Sequence, residues 1–359
     1  MEKKTPLTEL ARRRGARHGF WAKMGDRLFG GRRQFDCLQV EVSSRCLGRC
    51  SYCPHTVLFT RWQGRDMDMD TFGRLWPLMS RSVRVHLQGW GEPFLNRNFF
   101  AMADMARTAG CKVSTTTCGL GMDQDRAEKV VASGMDIVAF SLVGTDAASN
   151  APRHGVDFDK VCQGIETLKE VRQRRKAAYP EIHIAYLLLA SKAEAVAGLP
   201  TLMRRLGVSQ AVVSTLDYLP EPGLQDEAFS LQDRAKTDKT AALLGATAKE
   251  AQRLGLGFHY QFPVAKSSIN GCSENISRSV VVSADGSVAP CVFLNVSTAT
   301  AGRESRIFGN VHLKAPLAIW EGAEYRHFRN RLIQGDPDVP CRSCRKRFVT
   351  DGGLEDSNE

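Results

Sequence analysis

From about residue 35 to residue 220, short apolar runs alternate with amphipathic stretches. The runs CLQVEVSS (37–44), VRVHLQGWG (83–91), KVSTTTC (112–118), DIVAFSLVG (136–144), IHIAYLLLA (182–190) and QAVVSTLDYL (210–219) read as β-strands. Helical periodicity fills the intervals near 70–80, 97–109, 123–134, 158–177 and 193–206. Strands and helices in such strict alternation predict an α/β fold with a parallel sheet, either open and doubly wound or curved into a partial barrel. The alternation inside the strands separates the two. Leu38, Val40 and Val42 share one face of the first strand, and Gln39, Glu41 and Ser43 the other. In the second, Val83, Val85 and Leu87 oppose Arg84, His86, Gln88 and Trp90. A parallel strand covered on both sides reads as nearly all apolar. Strands with one polar face predict a curved sheet around a wet interior, that is, a partial (β/α)6 barrel with helices outside. Glu41, His86 and Gln88 are then candidates to face a ligand.

Beyond Pro220 the pattern changes. EPGLQDE is linker-like, residues 227–254 are helical, and SVVVSADGSVAPC carries Asp285-Gly286 between β-branched runs, a hairpin signal. The expected organisation is a basic arm (1–35), a core barrel (36–220), a helical linker (221–265), a small cysteine-rich α+β domain (266–348) and a frayed polar tail (349–359).

Composition adds little to this picture. The 359 residues are 43% hydrophobic and 25% charged, as in ordinary globular proteins. No apolar run approaches the ~20 residues a membrane span needs, and no secretory pattern opens the chain. The expectation is a cytoplasmic protein without membrane contact. The net charge of +10 is uneven: residues 1–33 hold ten Lys/Arg against three Asp/Glu. Such an arm can meet an anionic partner or simply be a solvated helix, and without interleaved aromatics nucleic-acid binding is not expected.

Cysteine changes the picture. Eleven cysteines in a reducing compartment point to metal or redox chemistry rather than disulfides. Cys37, Cys111, Cys118 and Cys162 are scattered and read as buried small side chains. Cys46, Cys50 and Cys53 follow the first strand as C-x3-C-x2-C, and Cys272, Cys291, Cys341 and Cys344 form C-x18-C-x49-C-x2-C. Zinc could take the first three with His55, and the C-x2-C pair is a common zinc knuckle. Three thiolates in one short loop also suit a [4Fe–4S] cluster with one iron left open.

The ordered motifs give a resemblance. C-x3-C-x2-C after a first strand, with an aromatic before the last cysteine, resembles the radical S-adenosylmethionine (SAM) enzymes. Trp90-Gly91-Glu92-Pro93 resembles that family's Gly-Gly-Glu-Pro motif, STTTCGL its Thr-Thr-Asn-Gly segment, and FSLVG…RHGVDF its strand-four signature. Cys118 stands where the family often has Asn, and Val143 where it often has Asp. The resemblance covers about 37–220. It implies a SAM-binding cluster on Cys46, Cys50 and Cys53, with Gly91, Glu92 and Pro93 toward the methionyl amine and Ser141 and Arg153 toward ribose and carboxylate. SAM chelates the open iron, an electron cleaves it, and the 5′-deoxyadenosyl radical abstracts a hydrogen atom from substrate. The electron would come from a donor such as flavodoxin or ferredoxin. The C-terminal segment resembles the auxiliary-cluster extension of the same enzymes, the SPASM domain in its shortened twitch form, with Cys272, Cys291, Cys341 and Cys344 on a second, closed [4Fe–4S] cluster. The resemblance implies an oxidoreductase that abstracts hydrogen from a small hydroxylated metabolite and passes an electron to the auxiliary cluster; the alternative is a maturase forming thioether or carbon–carbon bonds in a peptide, protein or cofactor precursor.

Overall fold

A computed structural model describes residues 33–230, 232–263, 272–296 and 306–352. Most of the expected basic arm, residues 1–32, and the last residues, 353–359, lie outside the described residues.

The six expected strands form in place: β1 Phe35–Val40, β3 Ser82–Leu87, β4 Lys112–Thr117, β5 Ile137–Leu142, β7 Glu181–Leu188 and β8 Gln210–Thr215. They lie side by side in chain order, every neighbouring pair parallel. β2 Arg49–Cys50 and β6 Arg153–His154 pair separately. Most of the expected strands end earlier than the pattern predicts, because their last residues turn out of the ladder into loops that build the site. Four of the described helices open on aspartates whose carboxylates accept a backbone N–H three residues on: Asp68 from Thr71 (2.7 Å), Asp123 from Arg126 (2.9 Å), Asp157 from Lys160 (2.9 Å) and Asp233 from Lys236 (3.1 Å). The helix Phe158–Arg174 lays Val161, Ile165, Leu168 and Val171 on the core. Leu38, Val40, Val42, Val85 and Leu87 are fully buried in that core. Val83 is not: it is exposed at the start of β3, outside the helix cover.

Two expectations fail at the edges. The linker is not helical throughout. Its helix, Arg234–Arg253, ends before Gly255, whose φ of +71° no ordinary helix residue adopts, and Gly257–Pro263 becomes β9, parallel to β8. Phe258 and Phe262 alternate inward along it. Nor does the tail begin at residue 349: Val349–Gly352 form β13, antiparallel to β9. An edge strand presents unpaired backbone groups, and this segment satisfies them.

At the other edge, β10 Ser279–Val282 joins β1 in parallel, followed by antiparallel β11 Ser287–Ala289 and β12 Gly309–Asn310. The expected hairpin is the β10–β11 turn. Gly286 takes φ +82°, and Ser283 and Ser287 close the loop through a 2.9 Å backbone hydrogen bond. The sheet therefore runs β12-β11-β10-β1-β3-β4-β5-β7-β8-β9-β13, a parallel partial barrel with the cysteine-rich segment grown onto its first strand. Among the described residues no helix is long and apolar enough to cross a membrane.

Candidate functional site

The chain after β1 leaves the sheet, carries three cysteines and returns. Its base is closed by the Ser44 hydroxyl, which donates to Gln63 O (2.8 Å) and accepts from Arg65 N (2.9 Å), and by the Trp62 indole donating to Ser44 O (2.8 Å). The loop's middle is pinned by the β2–β6 ladder, which sets Cys50 opposite Arg153. Gly48 lies between the thiols: a Cβ there would stand 3.6 Å from Cys46 Sγ and 3.8 Å from Cys50 Sγ, and 3.0 Å from Val156. Cys53 opens the short helix Pro54–Val57. Burial pushes Cys46 up to about 11 and Cys53 up to about 12, so these thiols are neutral until a bound cation makes them thiolates.

The motif after β3 docks onto this loop. Gly91 is tight against it: a Cβ would sit 2.3 Å from Ser43 O and 2.7 Å from Arg45 O. The glycine is thus required by the cysteine loop itself, not only by an incoming cofactor. Glu92 donates its N–H to Arg45 O (2.7 Å). Its carboxylate, expected to face a cofactor, accepts from Thr117 Oγ1 (2.9 Å), Cys118 N (2.7 Å) and Phe94 N (3.2 Å). It bridges the ends of β3 and β4, and Pro93 is buried beneath. Arg153 is buried, and its guanidinium donates to Ser141 O and to Cys118 O. Burial opposes its charge, but neighbouring Tyr52, Cys50 and Cys118 outweigh that and raise its pKa. Its Nε is buried without a partner. Cys118 lies beside Glu92, with its thiol pushed up by burial and by that carboxylate. Val143 is buried with Leu189, Leu216 and Leu224. Its N–H donates to Asn150 Oδ1 (3.1 Å).

The polar strand faces divide. Gln39 and Gln88 border a cavity of about 320 Å³ inside the barrel, with Tyr52, Cys53, Trp90 and Phe293. His86 lies below it, both ring nitrogens engaged by Ser114 Oγ (2.9 Å) and Gln88 Oε1 (2.8 Å), and burial lowers its pKa. Glu41 accepts from Trp90 N (3.0 Å) and Ala284 N (3.3 Å), a structural carboxylate linking the ends of β1, β3 and β10.

Cys272, Cys291, Cys341 and Cys344 border a second cavity, of about 340 Å³, with Ile276 and Phe328. Among the described residues no three His, Cys, Asp or Glu side chains converge as a single metal ion requires. The four cysteines nevertheless border one cavity, and a set of four thiols is the donor set of a closed [4Fe–4S] cluster as well as of zinc. Burial pushes Cys272 and Cys341 up to about 12.

The strand pattern does not announce what separates the cavities. Asp217, Tyr218, Glu274 and Phe293 border both. Within this wall Lys346 Nζ lies 3.1 Å from Asp217 Oδ2 and 3.2 Å from Glu274 Oε1. Burial opposes the ammonium, but Glu274 and Asp217 more than restore it and raise its pKa. The Trp90 indole crosses from the barrel and donates to Val292 O (3.1 Å) and Asn295 O (3.0 Å), in the turn that follows Cys291. The sequence signals were Glu274 and Lys346, each two residues past a cysteine, and Trp90 in place of a motif glycine.

With both cysteine sites placed, comparison with known families is decisive. The Radical SAM superfamily model matches residues 40–183, and the SPASM model, an iron–sulfur cluster-binding domain, matches 272–345. The chain belongs to the radical SAM superfamily. Radical SAM enzymes of this type work with SAM and [4Fe–4S] clusters. This radical SAM enzyme is similar to the tungsten-containing aldehyde ferredoxin oxidoreductase cofactor-modifying protein of Pyrococcus furiosus, 24% identical over 328 residues and 88% of each chain. It is likewise similar to the PqqA peptide cyclase of Methylorubrum populi, 24% identical over 338 residues, covering 88% of this chain and 79% of that one. Two SAM-bound solved structures share the fold. Streptococcus suis SuiB has a TM-score of 0.63 at 16% identity, covering 99% of this chain and 79% of that one. For anSMEcpe the TM-score is 0.62 at 17% identity, covering 89% and 85%.

Proposed function

We propose that this radical SAM enzyme is a maturase that modifies a peptide, protein or cofactor precursor by a net two-electron oxidation. The observation that carries this reading is its set of relatives. Proteins named as peptide cyclases and a cofactor-modifying protein align with 88% of the chain, which favours maturation over the metabolite oxidation that the resemblance first suggested. The geometry supports it: a cavity bordered by Cys53 shares a wall with a cavity bordered by four further cysteines.

In this reading Cys46, Cys50 and Cys53 hold the SAM-binding cluster, and Cys272, Cys291, Cys341 and Cys344 hold the closed auxiliary one. When bound, the first cluster and SAM supply a radical that takes one hydrogen atom from substrate, and the auxiliary cluster offers a place for the remaining electron. The chain's own residues position these groups. Arg153, fixed by Ser141 O and Cys118 O and with its Nε still unpartnered, offers a cation beside Cys50 for a carboxylate. Glu92 keeps the ends of β3 and β4 in register around it. Trp90, Tyr218 and Phe293 form an aromatic wall against water, with ring centroids 5.8–6.3 Å apart.

The anaerobically reconstituted protein is expected to hold about eight irons as two cubanes. A variant with Cys46, Cys50 and Cys53 all changed to Ala should hold about four and form no 5′-deoxyadenosine. Incubation with short peptides encoded beside the gene should then yield a product lighter by two hydrogens. Unchanged peptides alongside oxidation of small hydroxylated metabolites would overturn the maturase reading.

A further inference from the structure

The cavity bordered by the four C-terminal cysteines has a charged edge drawn from one short stretch. Cys344 is followed directly by Arg345, Lys346 and Arg347. Cations ordinarily lie on a solvated face. Here Lys346 and Arg347 are each only 5% exposed, and Arg345 is half-buried. The first two charges find acceptors on neighbouring elements: the Arg345 guanidinium donates to Phe229 O, and Lys346 lies between Asp217 and Glu274. Arg347 is different. It borders the cavity, and its Nη1 donates to Arg342 O (3.3 Å), in the turn that carries Cys341 and Cys344. Its Nε is buried and, among the described residues, has no partner. An unpaired donor on a buried charged group is costly, so Nε calls for an acceptor that these residues do not supply. The field of the guanidinium shows which way it acts. Burial, Cys344 and Asp338 push the Cys341 thiol up, and Arg347 pulls it back.

We propose that Arg347 is a positioning residue for the auxiliary cluster: its buried Nε–H donates to a sulfur on the Cys341 side, and its charge holds that cluster at a higher reduction potential than four thiolates alone would set. The inference rests on the reading of Cys272, Cys291, Cys341 and Cys344 as ligands of a closed [4Fe–4S] cluster. Four thiolates around such a core leave a net negative charge that grows by one on reduction, so a fixed cation and a charge-assisted donor favour the reduced form. The step is the gain of one electron, which in the maturase reading comes from the substrate radical. The guanidinium stays protonated throughout, and no proton moves. A purely structural role, pinning the turn through Arg342 O, makes a different prediction: iron content and stability would change on substitution, and the potential would not.

The test needs no substrate and no turnover. The full chain with Cys46, Cys50 and Cys53 changed to Ala retains only the auxiliary irons, and a redox titration followed by electron paramagnetic resonance reads their midpoint. Adding Arg347→Gln removes the charge and the Nε donor. At a fixed solution potential the ratio of reduced to oxidised cluster should fall about tenfold, which for a one-electron couple is a midpoint lower by about 59 mV. An unchanged midpoint in a variant that keeps its irons would overturn the proposal. Should Arg347→Gln fail to hold iron, the parent protein decides by itself. Grown on nitrogen-15 arginine and reduced, it should show a nitrogen-15 coupling to the cluster in pulsed resonance spectra, and absence of that coupling rejects the hydrogen bond. Arg347→Lys, which keeps the charge but not the labelled nitrogen, should abolish the coupling; its persistence would assign the contact to Arg345 and reject Arg347. Stoichiometric zinc in the parent protein, or irons that never give the signal of a reduced cubane, would instead sink the cluster reading, and the inference with it.

Discussion

The two cysteine sites are built in opposite ways. Cys46, Cys50 and Cys53 come from eight consecutive residues, in a loop whose base is closed by its own hydrogen bonds through Ser44 and Trp62. That loop can keep its shape whatever it binds, and one side of it faces the barrel cavity while Leu47 and Arg49 face solvent. Cys272, Cys291, Cys341 and Cys344 are gathered from three distant segments around an apolar hollow lined by Ile276, Leu294, Phe328 and Leu332. Each of the three segments is held by short turns, such as Asn275 N to Cys272 O (2.9 Å), Leu294 N to Cys291 O (3.2 Å) and Cys344 N to Cys341 O (3.2 Å), and Ser273 N to Lys346 O (3.1 Å) ties the first to the last. A local site with an open side is suited to exchange a ligand. A site gathered from distant segments is suited to hold its contents and, through them, to hold the chain.

The sharpest break of that comparison is thermal. Where ligands come from distant segments, binding free energy is folding free energy. Changing Cys341 and Cys344 to Ala should halve the iron content and lower stability by at least about 5 kcal/mol, a fall in Tm of roughly 10 °C or more for a domain of this size. The triple Ala variant of the first loop should lose as much iron with less than half that fall. Equal falls in calorimetry would mean that both sites staple the fold alike.

Part of this was legible in the residues. The strand faces of Leu38, Val40 and Val42 and the Asp285-Gly286 turn are local signals, and local physics decides them. Parallel pairing of β10 with β1 has no local signal, because its partners are about 240 residues apart. The strand β9 hid behind a long helical pattern and showed only as alternating Phe258 and Phe262. Carboxylates are the hardest to read. Glu41 and Glu92 face the right way for ligands, yet their partners are backbone N–H groups of other strand ends, which only the assembled sheet supplies. The Lys346 triad could not be assembled for the same reason: its three members come from residues 217, 274 and 346, and the place of Glu274 and Lys346 two residues past a cysteine does not say that they meet.

That triad gives the next test, because it ties the closed site to the barrel. Asp217 and Lys346 are nearly fully buried. Lys346→Met would leave two carboxylates without their shared cation, and breaking a buried pair from one side costs about 3–5 kcal/mol. Chemical denaturation should show that loss. Adding Asp217→Asn and Glu274→Gln to the same protein should recover most of it, since no uncompensated charge then remains. A single variant as stable as wild type would show that water or the neighbouring Arg345, not Lys346, balances the carboxylates.

The smallest expected effect tests the second tie. Trp90 holds the turn after Cys291 by one indole N–H shared between Val292 O and Asn295 O, while its ring lies 5.8 Å from that of Tyr218 and 6.1 Å from that of Phe293. Trp90→Phe keeps an aromatic ring in the wall and removes only the donor. Leaving buried acceptors unsatisfied costs about 1–3 kcal/mol. Because the turn's own bonds, Leu294 N to Cys291 O (3.2 Å) and Asn295 N to Val292 O (3.1 Å), are few, the loss should be felt locally. Hydrogen exchange at those two amides should accelerate about 5- to 30-fold, the factor that one to two kcal/mol represents. The amides around Cys46–Cys53, on the self-closed loop, should keep their wild-type rates. Acceleration at both loops would show that Trp90 supports the two sites together; no acceleration at Leu294 and Asn295 would show that the auxiliary turn stands without the barrel.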